Sequence, residues 1–245
     1  MTINESTPPV WDNGSFGALT LALKSILRAI RRRCGWSPMQ RVMREIERRS
    51  SKPLGLFTAL ELFAGDGQMH VVDYLDKICE LYSEFWDVNA EHCAKLKELL
   101  IVGRVRCVNS YEYVRNAIGK FSLIVIDAPP KTYDGHYEVY DLFPYVFNLC
   151  APYQATFILT VAPRLSGELL TAYPTIVIAD YVRQRAQFWG ITETEAKTLP
   201  LTAWDMERAM AKRVVPHGYR LQWSFLQKRN AYVSYFVFHI EKRHG

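Results

Sequence analysis

Short apolar runs alternate with helix-like segments through the middle of the chain. Strand character occurs at 56–63, 81–88, 105–108, 121–126 and 156–161. The runs "FSLIVID" (121–127) and "ATFILTV" (155–161) are almost continuously apolar, as expected for strands buried on both faces of a parallel sheet. Strands that alternate with helices predict a doubly wound α/β sheet with helices on both faces.

The C-terminal pattern is different. Residues 218–242, "GYRLQWSFLQKRNAYVSYFVFHIEK", contain two long strand-like runs separated by 227–230, with no room for a helix between them. An antiparallel hairpin would extend a mostly parallel sheet to seven strands. A helical stretch of about 40 residues precedes it, and Thr202 with Asp205 predicts a capping box there.

The N-terminal part adds an extension to this domain. Residues 1–15 predict a flexible tail, and apolar residues at helical spacing predict a helix over 16–33 and a second over 39–49. The predicted domains are therefore the tail (1–15), a basic helical extension (16–52) and the α/β domain (53–245).

The charge distribution bears on function only for the predicted helical extension (16–52). The chain carries a net charge of +5, and residues 24–52 alone hold ten Lys or Arg against Glu45 and Glu47, a local +8. Four hypotheses fit this segment: a solvated face on a docked helix, a lid over a crevice, a site for RNA or another anion, or a membrane-surface helix. Trp36 is the only aromatic residue there for base stacking, which weakens the RNA hypothesis.

Cysteine usage and hydropathy exclude several classes of protein. The five cysteines are scattered and show no Cys-x-x-Cys, so neither a disulfide framework nor a structural zinc site is expected. No apolar stretch reaches the roughly 18 residues of a membrane span, and residues 1–14 lack a secretory core. We therefore expect a cytoplasmic protein without a bound metal; the oligomeric state stays open.

The stretch "ALELFAGDG" (59–67) ends the first strand with small and turn-forming residues. Ligands of open α/β sheets bind beyond the carboxyl ends of the strands, where glycines let a ligand approach the backbone. The stretch predicts either a plain tight turn or a cofactor site followed by a helix with free N–H groups. His70 occupies the third glycine position of a dinucleotide fingerprint, and Glu61 would repel a pyrophosphate but attract an ammonium. Asp87 ends the second strand, where an acid can bind ribose hydroxyls.

With these motifs the sequence resembles the class I S-adenosylmethionine-dependent methyltransferases over about residues 56–241. The motifs are "ELFAGDG", "WDVN", "VNSYEY", "IDAPP" and the terminal hairpin, in that order. The resemblance implies S-adenosylmethionine as cofactor, with Asp87 at the ribose and Asn109 near the adenine amine in place of the usual acid. The full set of cofactor-binding residues it implies is Glu61, Phe63, Ala64, Gly65, Asp66, Gly67, His70, Asp87, Val88, Asn109, Ser110 and Asp127.

Candidate residues for the reacting centre follow the fourth strand. Asp127 would direct a carboxylate at the acceptor, and "DAPP" resembles, without matching, the Asp-Pro-Pro-Tyr signature of amino-methyltransferases. The loop "KTYDGHYEVYD" adds Tyr133 and His136, and His136 is the better candidate base because its usual pKa lies near neutrality. Three functions stay open: transfer to N or O of a small molecule (preferred), an RNA or DNA methyltransferase that uses residues 24–52, and a non-catalytic relative.

Overall fold

The computed structural model describes residues 37–50, 52–68, 70–128, 130 and 135–243. The predicted tail, the predicted helix over 16–33 and Tyr133 lie outside these ranges. Among the described residues, no helix is both long and apolar enough to cross a membrane.

A single sheet of seven strands forms the centre of the described chain. Its order is β3-β2-β1-β4-β5-β7-β6; the five strands from β3 to β5 are parallel, and β7 pairs antiparallel with β5 and with β6. The sheet and its terminal hairpin are therefore as predicted, although β1 and β2 are shorter than expected. The strands are β1 (Ala59–Glu61), β2 (Glu84–Asp87), β3 (Arg104–Cys107), β4 (Leu123–Ile126), β5 (Gln154–Val161), β6 (Tyr219–Lys228) and β7 (Ser234–Lys242).

Helices lie on both faces of the sheet, as predicted. The described α-helices are α1 (Pro38–Arg49), α2 (Ala90–Leu99), α3 (Ser110–Tyr113), α4 (Gly167–Ala172), α5 (Ile178–Trp189), α6 (Glu193–Thr198) and α7 (Ala203–Arg213). The predicted capping box starts α7, because Thr202 and Asp205 bond each other's backbone N–H. Each cap satisfies N–H groups that have no partner within the helix.

Alternation along the buried strands creates two cores. Leu60, Ile124 and Phe157 point to the face covered by α5 and α7, where Trp189 and Met206 are buried. Neighbouring residues of the same strands point to the opposite face, which is covered by α1, α2 and the segment that follows β1.

Helix α1 is docked on the second face. Its apolar stripe is fully buried, and the Arg49 guanidinium lies 5.0 Å from the Phe225 ring of β6. Its remaining basic residues include the exposed Arg41, Arg44 and Arg48. For residues 37–50 the structure thus matches the hypothesis of a docked helix with a solvated basic face.

The segment between β1 and β2 corrects one prediction. The expected α-helix after the glycine turn is absent from the described part of this segment, which forms three short 3₁₀ turns: Val71–Asp73, Leu75–Lys77 and Glu80–Tyr82. Val71 and Tyr74 are both buried in the second core, and their spacing of three residues matches the 3₁₀ period. His70 therefore leads into a 3₁₀ turn and not into an α-helix.

Candidate functional site

The sheet brings four predicted site residues to one edge. Glu61, Asp87 and Asn109 stand at or just after the ends of β1, β2 and β3, and Asp127 follows β4. Since these four strands are parallel neighbours, their carboxyl ends form one continuous edge. This edge is where open α/β sheets bind ligands.

The glycine turn lies against the end of β2. Gly65 and Gly67 have φ of 58° and 77°, a left-handed backbone that residues with a Cβ rarely adopt. The Ala64 N–H donates to the Trp86 carbonyl, and the Gly65 N–H donates to Asp87 Oδ2 at 2.9 Å. A Cβ at Gly65 would meet nothing within 4 Å, whereas one at Gly67 would lie 2.7 Å from the Leu96 side chain. A side chain at Gly67 would thus force the end of Leu96 on α2 to shift, whereas Gly65 faces open space.

The Asp87 carboxylate already accepts hydrogen bonds from two backbone N–H groups. Its Oδ1 accepts from the Asn89 N–H at 2.8 Å and lies 3.2 Å from His92 Nδ1, while Oδ2 accepts from Gly65. A carboxylate oxygen has two lone pairs, so Oδ2 retains one acceptor position for a ligand hydroxyl.

The predicted adenine side carries aromatic and polar groups. Asn109 caps α3, because its Oδ1 accepts from the Tyr111 N–H at 3.0 Å, and the Ser110 hydroxyl donates to the Leu62 carbonyl. The Phe63 and Tyr111 rings lie 5.3 Å apart. Val88, which directly follows Asp87 after β2, is exposed. Asn109 therefore caps α3, and its contact with a ligand stays a prediction.

A buried charged group closes the edge between β1 and β4. His70 Nε2 lies 2.5 Å from Glu61 Oε1, and His70 Nδ1 lies 3.0 Å from Asp127 Oδ2 without the alignment of a hydrogen bond. Arg229, from the β6–β7 turn, donates to Asp127. We call Glu61, His70, Asp127 and Arg229 the histidine cluster. Two further hydroxyls support it: Tyr74 donates to Glu61 at 2.5 Å and Thr160 donates to Asp127.

The pKa values of the cluster follow from burial and pairing. Burial lowers the pKa of His70, but the Glu61 and Asp127 carboxylates outweigh it and raise the pKa to about 9. Burial raises the pKa of Asp127, but His70 and Arg229 outweigh it and hold that pKa below its usual value. Burial raises the pKa of Glu61 in spite of its contacts with His70 and Tyr74. At neutral pH the imidazole is therefore a buried cation between two acidic side chains.

His136 lies against α3. Its ring stacks on Tyr111 with centroids 4.3 Å apart, and its Nδ1 lies 2.6 Å from Asp141 Oδ2. A carboxylate on Nδ1 orients the ring and favours the tautomer that leaves Nε2 as the acceptor. His136 also lines a cavity of about 380 Å³. Asp127 contacts His70 and Arg229 instead, so the described contacts do not join Asp127 to His136.

A second buried charged group fixes the end of β5. Glu138 is fully buried and has a φ of 45°; Tyr181 donates to its Oε1 at 2.7 Å. Arg185 is also fully buried and donates to the Ala162 and Pro163 carbonyls, each at 2.5 Å. We call Glu138, Tyr181 and Arg185 the arginine cluster. A left-handed backbone at a residue with a side chain costs about 1–3 kcal/mol and persists only where the surroundings impose it.

A cavity of about 690 Å³ opens beside the turn that carries Arg229. Its lining comes from the residues after β5, the start of α4 and the β6–β7 turn, and includes Arg164, Lys228 and Tyr232. Small-molecule sites commonly measure about 300–1,000 Å³. Within the described ranges, no group of three or more His, Cys, Asp or Glu is arranged to hold a metal ion.

Sequence reasoning missed several of these residues. Arg229 reads only as part of a hairpin turn, and no local pattern distinguishes it. Thr160 could have been identified, because it is a polar residue within the apolar run of β5. Glu138 and Arg185 belong to the loop after β4 and to an amphipathic helix, where charged residues are ordinary.

The residues present fit S-adenosylmethionine in chemistry. The Glu61 carboxylate holds a cation now, the His70 imidazolium, and can therefore hold an ammonium in the same place. Asp87 offers an acceptor for a hydroxyl, and Gly65 faces open space. The one obstacle is His70 itself.

Comparison with known proteins supports the fold alone. No protein-family model and no curated protein sequence matches the chain. Among solved structures, a putative methyltransferase (yhhF) from Escherichia coli matches with a TM-score of 0.50 and 12% identity over 84% of this chain and 86% of that one. The plantazolicin methyltransferase BpumL, solved with a substrate analogue and S-adenosylhomocysteine, matches with a TM-score of 0.50 and 13% identity over 84% and 85%. The chain has the fold of the class I methyltransferases.

Proposed function

We propose that the chain is an S-adenosylmethionine-dependent methyltransferase that acts on a nitrogen or oxygen atom of a small molecule. The observation that carries the proposal is the placement of Glu61, Asp87 and Asp127 at the carboxyl ends of adjacent strands in a sheet of this order. The solved methyltransferase BpumL, of the same fold, holds S-adenosylhomocysteine. Function resides in the site and not in the fold, so the individual residues must account for the activity.

The cofactor supplies an electrophilic methyl group when it is bound. Glu61 would hold its ammonium, Asp87 its ribose, and the backbone around Gly65 would approach it closely. Phe63, Ala64, Asp66, Gly67 and Val88 complete the predicted wall, with Asn109 and Ser110 on the adenine side. The protein then has to hold the acceptor atom close and aligned with the methyl group.

Asp127 and His136 would have separate roles at the acceptor atom. The lowered pKa of Asp127 makes it a poor base, so it would accept a hydrogen bond from the acceptor and orient it. His136, held by Asp141, would remove the proton that a hydroxyl acceptor must lose. The cavity beside Arg229 has the size of a small-molecule site, which favours a small acceptor over a nucleic acid.

Calorimetric titration with S-adenosylmethionine and S-adenosylhomocysteine tests the cofactor, with NAD as the negative control. We expect micromolar binding of the first two ligands. Asp87→Ala should weaken it by about 1–3 kcal/mol through the loss of charge-assisted hydrogen bonds. Asp76→Ala removes an exposed acid from the same β1–β2 region and should leave the affinity unchanged.

Two other functions predict different binding results. Because His70 fills the edge between β1 and β4, a non-catalytic relative is the second candidate, and absence of binding by either ligand would select it. An RNA or DNA methyltransferase that uses the basic segment would instead bind nucleic acid with an affinity that falls steeply with salt.

A further inference from the structure

The side chain of His70 fills the space between two neighbouring strand ends. Glu61 pairs with Val125 in the β1–β4 register, so Asp127 lies two residues beyond the position opposite Glu61. The imidazole bridges this gap with contacts of 2.5 Å to Glu61 and 3.0 Å to Asp127, and its side chain is only 6% exposed. In this arrangement no ligand cation can reach Glu61.

Both acids that the His70 imidazole contacts, Glu61 and Asp127, already have a second partner. Tyr74 donates to Glu61, and Arg229 and Thr160 donate to Asp127. The backbone beneath His70 is also anchored, because Val71 and Tyr74 are buried in the second core. The imidazole interacts with the charges of Glu61 on β1, Asp127 after β4 and Arg229 in the hairpin turn. Tyr74 in the 3₁₀ segment and Tyr235 on β7 interact with these acids, and Asp73 interacts with Tyr235.

We propose that His70 is a built-in competitor for the ammonium site: its imidazole occupies Glu61 in the closed protein and rotates away when the cofactor's ammonium takes its place. The proposal rests on the proposed function, since it concerns the same site. The proposal explains why the predicted ammonium site, formed by Glu61 and Asp127, contains the imidazolium of His70.

Charge balance makes the exchange specific for a cationic ligand group. Arg229 would still pair with Asp127, but removal of the imidazolium alone would leave the buried Glu61 carboxylate without a cation, which is strongly unfavourable. An ammonium restores the lost charge, whereas a neutral nucleoside does not. The raised pKa of His70, about 9, means that the competitor is charged at neutral pH. Ligands that carry the amino-acid group should therefore compete with His70, and adenosine should not.

Removal of the competitor should strengthen cofactor binding. The apparent affinity of a ligand is reduced by the fraction of protein in the competent state. We expect His70→Ala and His70→Gln to bind S-adenosylhomocysteine at least about tenfold more tightly than the native chain, with adenosine affinity unchanged. His70→Gln keeps amide hydrogens for Glu61, so it guards against a failure of His70→Ala to fold. His239→Gln, which alters another buried histidine on β7, is the matched control.

Calorimetry separates failure of this proposal from failure of the proposed function. Equal affinity of native chain and both folded His70 variants for S-adenosylhomocysteine overturns the competitor while the methyltransferase proposal stands. Absence of binding by native chain and variants alike overturns both. Equal gains for adenosine and S-adenosylhomocysteine also overturn it, because the obstacle would then be the bulk of His70 and not its charge.

A spectroscopic readout on the native chain needs no variant. With ¹⁵N-labelled histidine, the His70 ring should show the imidazolium pattern at pH 7.5 without ligand. Saturation with S-adenosylhomocysteine should move its titration to near the ordinary value of about 6.5. His239, bonded to Thr156, should not change. A His70 signal that keeps its titration in the saturated protein overturns the proposal.

Discussion

The histidine cluster and the arginine cluster bury similar charges in different ways. In the arginine cluster, two carbonyls after β5 take the guanidinium hydrogens, and Tyr181 lies between Arg185 and Glu138. In the histidine cluster, the cation is an imidazole and its partners are two carboxylates of the predicted site. The first cation cannot lose its proton at any pH that the protein survives, whereas the second can.

This difference separates a structural group from a switchable one. Arg185 ties α5 to the end of β5 through backbone atoms, so its loss would damage the fold. Within the described bonds, the His70 imidazole contacts only side chains, and those side chains have predicted roles in ligand binding. Substitutions at the two clusters should therefore change different properties.

The largest effect is expected for Arg185→Met. It leaves the Ala162 and Pro163 carbonyls buried without their donor and removes the positive charge that favours the ionised form of Glu138, which should cost about 3–5 kcal/mol of the free energy of unfolding. Urea denaturation monitored by tryptophan fluorescence measures it. Arg183→Met, on the exposed side of the same helix, is the control and should stay within about 0.5 kcal/mol. A loss below 1 kcal/mol at Arg185 would remove the distinction between the clusters.

The next effect is the pH dependence contributed by His70. Its pKa is about 9 in the folded chain against 6.5 ordinarily, so the folded state binds the proton more tightly. The stabilisation is therefore complete below pH 6.5 and is lost as the pH rises through 9, in total about 3 kcal/mol. The difference in unfolding free energy between the native chain and His70→Gln, measured from pH 6 to 10, isolates this contribution.

The contribution of His239 to stability should depend on pH in the opposite direction, which provides an internal check. Burial lowers its pKa, so its neutral form stabilises the fold, and that contribution is lost as the pH falls below 6.5. A His70→Gln difference that stays constant up to pH 10 would mean that the imidazole is not charged in the folded chain.

The strands could be predicted because their signal is simple. β4 and β5 are apolar at nearly every position since both faces are covered, and the hairpin leaves no length for a helix. The segment after β1 could not be predicted in this way. Its apolar residues suit an α-helix equally well. Its Tyr74 hydroxyl donates to Glu61, a contact across 13 positions that no local pattern specifies.

The candidate site was predictable only in part, for the same reason. The acids at strand ends could be predicted from their positions, because the end of an apolar strand can be recognised in the sequence. The partner of Asp127 is Arg229, which is 102 positions away, and no local pattern relates the two. The closing role of His70 likewise depends on the β1–β4 pairing and on a turn that a short motif does not specify.

A smaller effect is expected at the turn that leads to the histidine cluster. Gly65→Ala and Gly67→Ala both introduce a side chain at positive φ, at a cost of about 1–2 kcal/mol. At Gly67 the new Cβ would also lie 2.7 Å from the ends of Leu96 and Leu99, so this variant should lose about 1 kcal/mol more. Thermal unfolding of the pair measures the difference. Equal losses would show that the leucines move aside freely and that packing on α2 does not hold the turn.

The smallest effect on stability is expected at His136, the partly exposed counterpart of His70. His136 also pairs with an acid, but the Asp141 side chain is 42% exposed, and such pairs contribute at most about 1 kcal/mol. His136→Gln should therefore leave the unfolding free energy within that range while it slows methyl transfer to a hydroxyl acceptor, because the base is lost. The measurement is kcat against pH for both chains, with Asp141→Asn as the matched variant, which keeps the ring but weakens its orientation. If His136→Gln and the native chain share the same pH profile, the base lies elsewhere, and His136 then serves to stack on Tyr111.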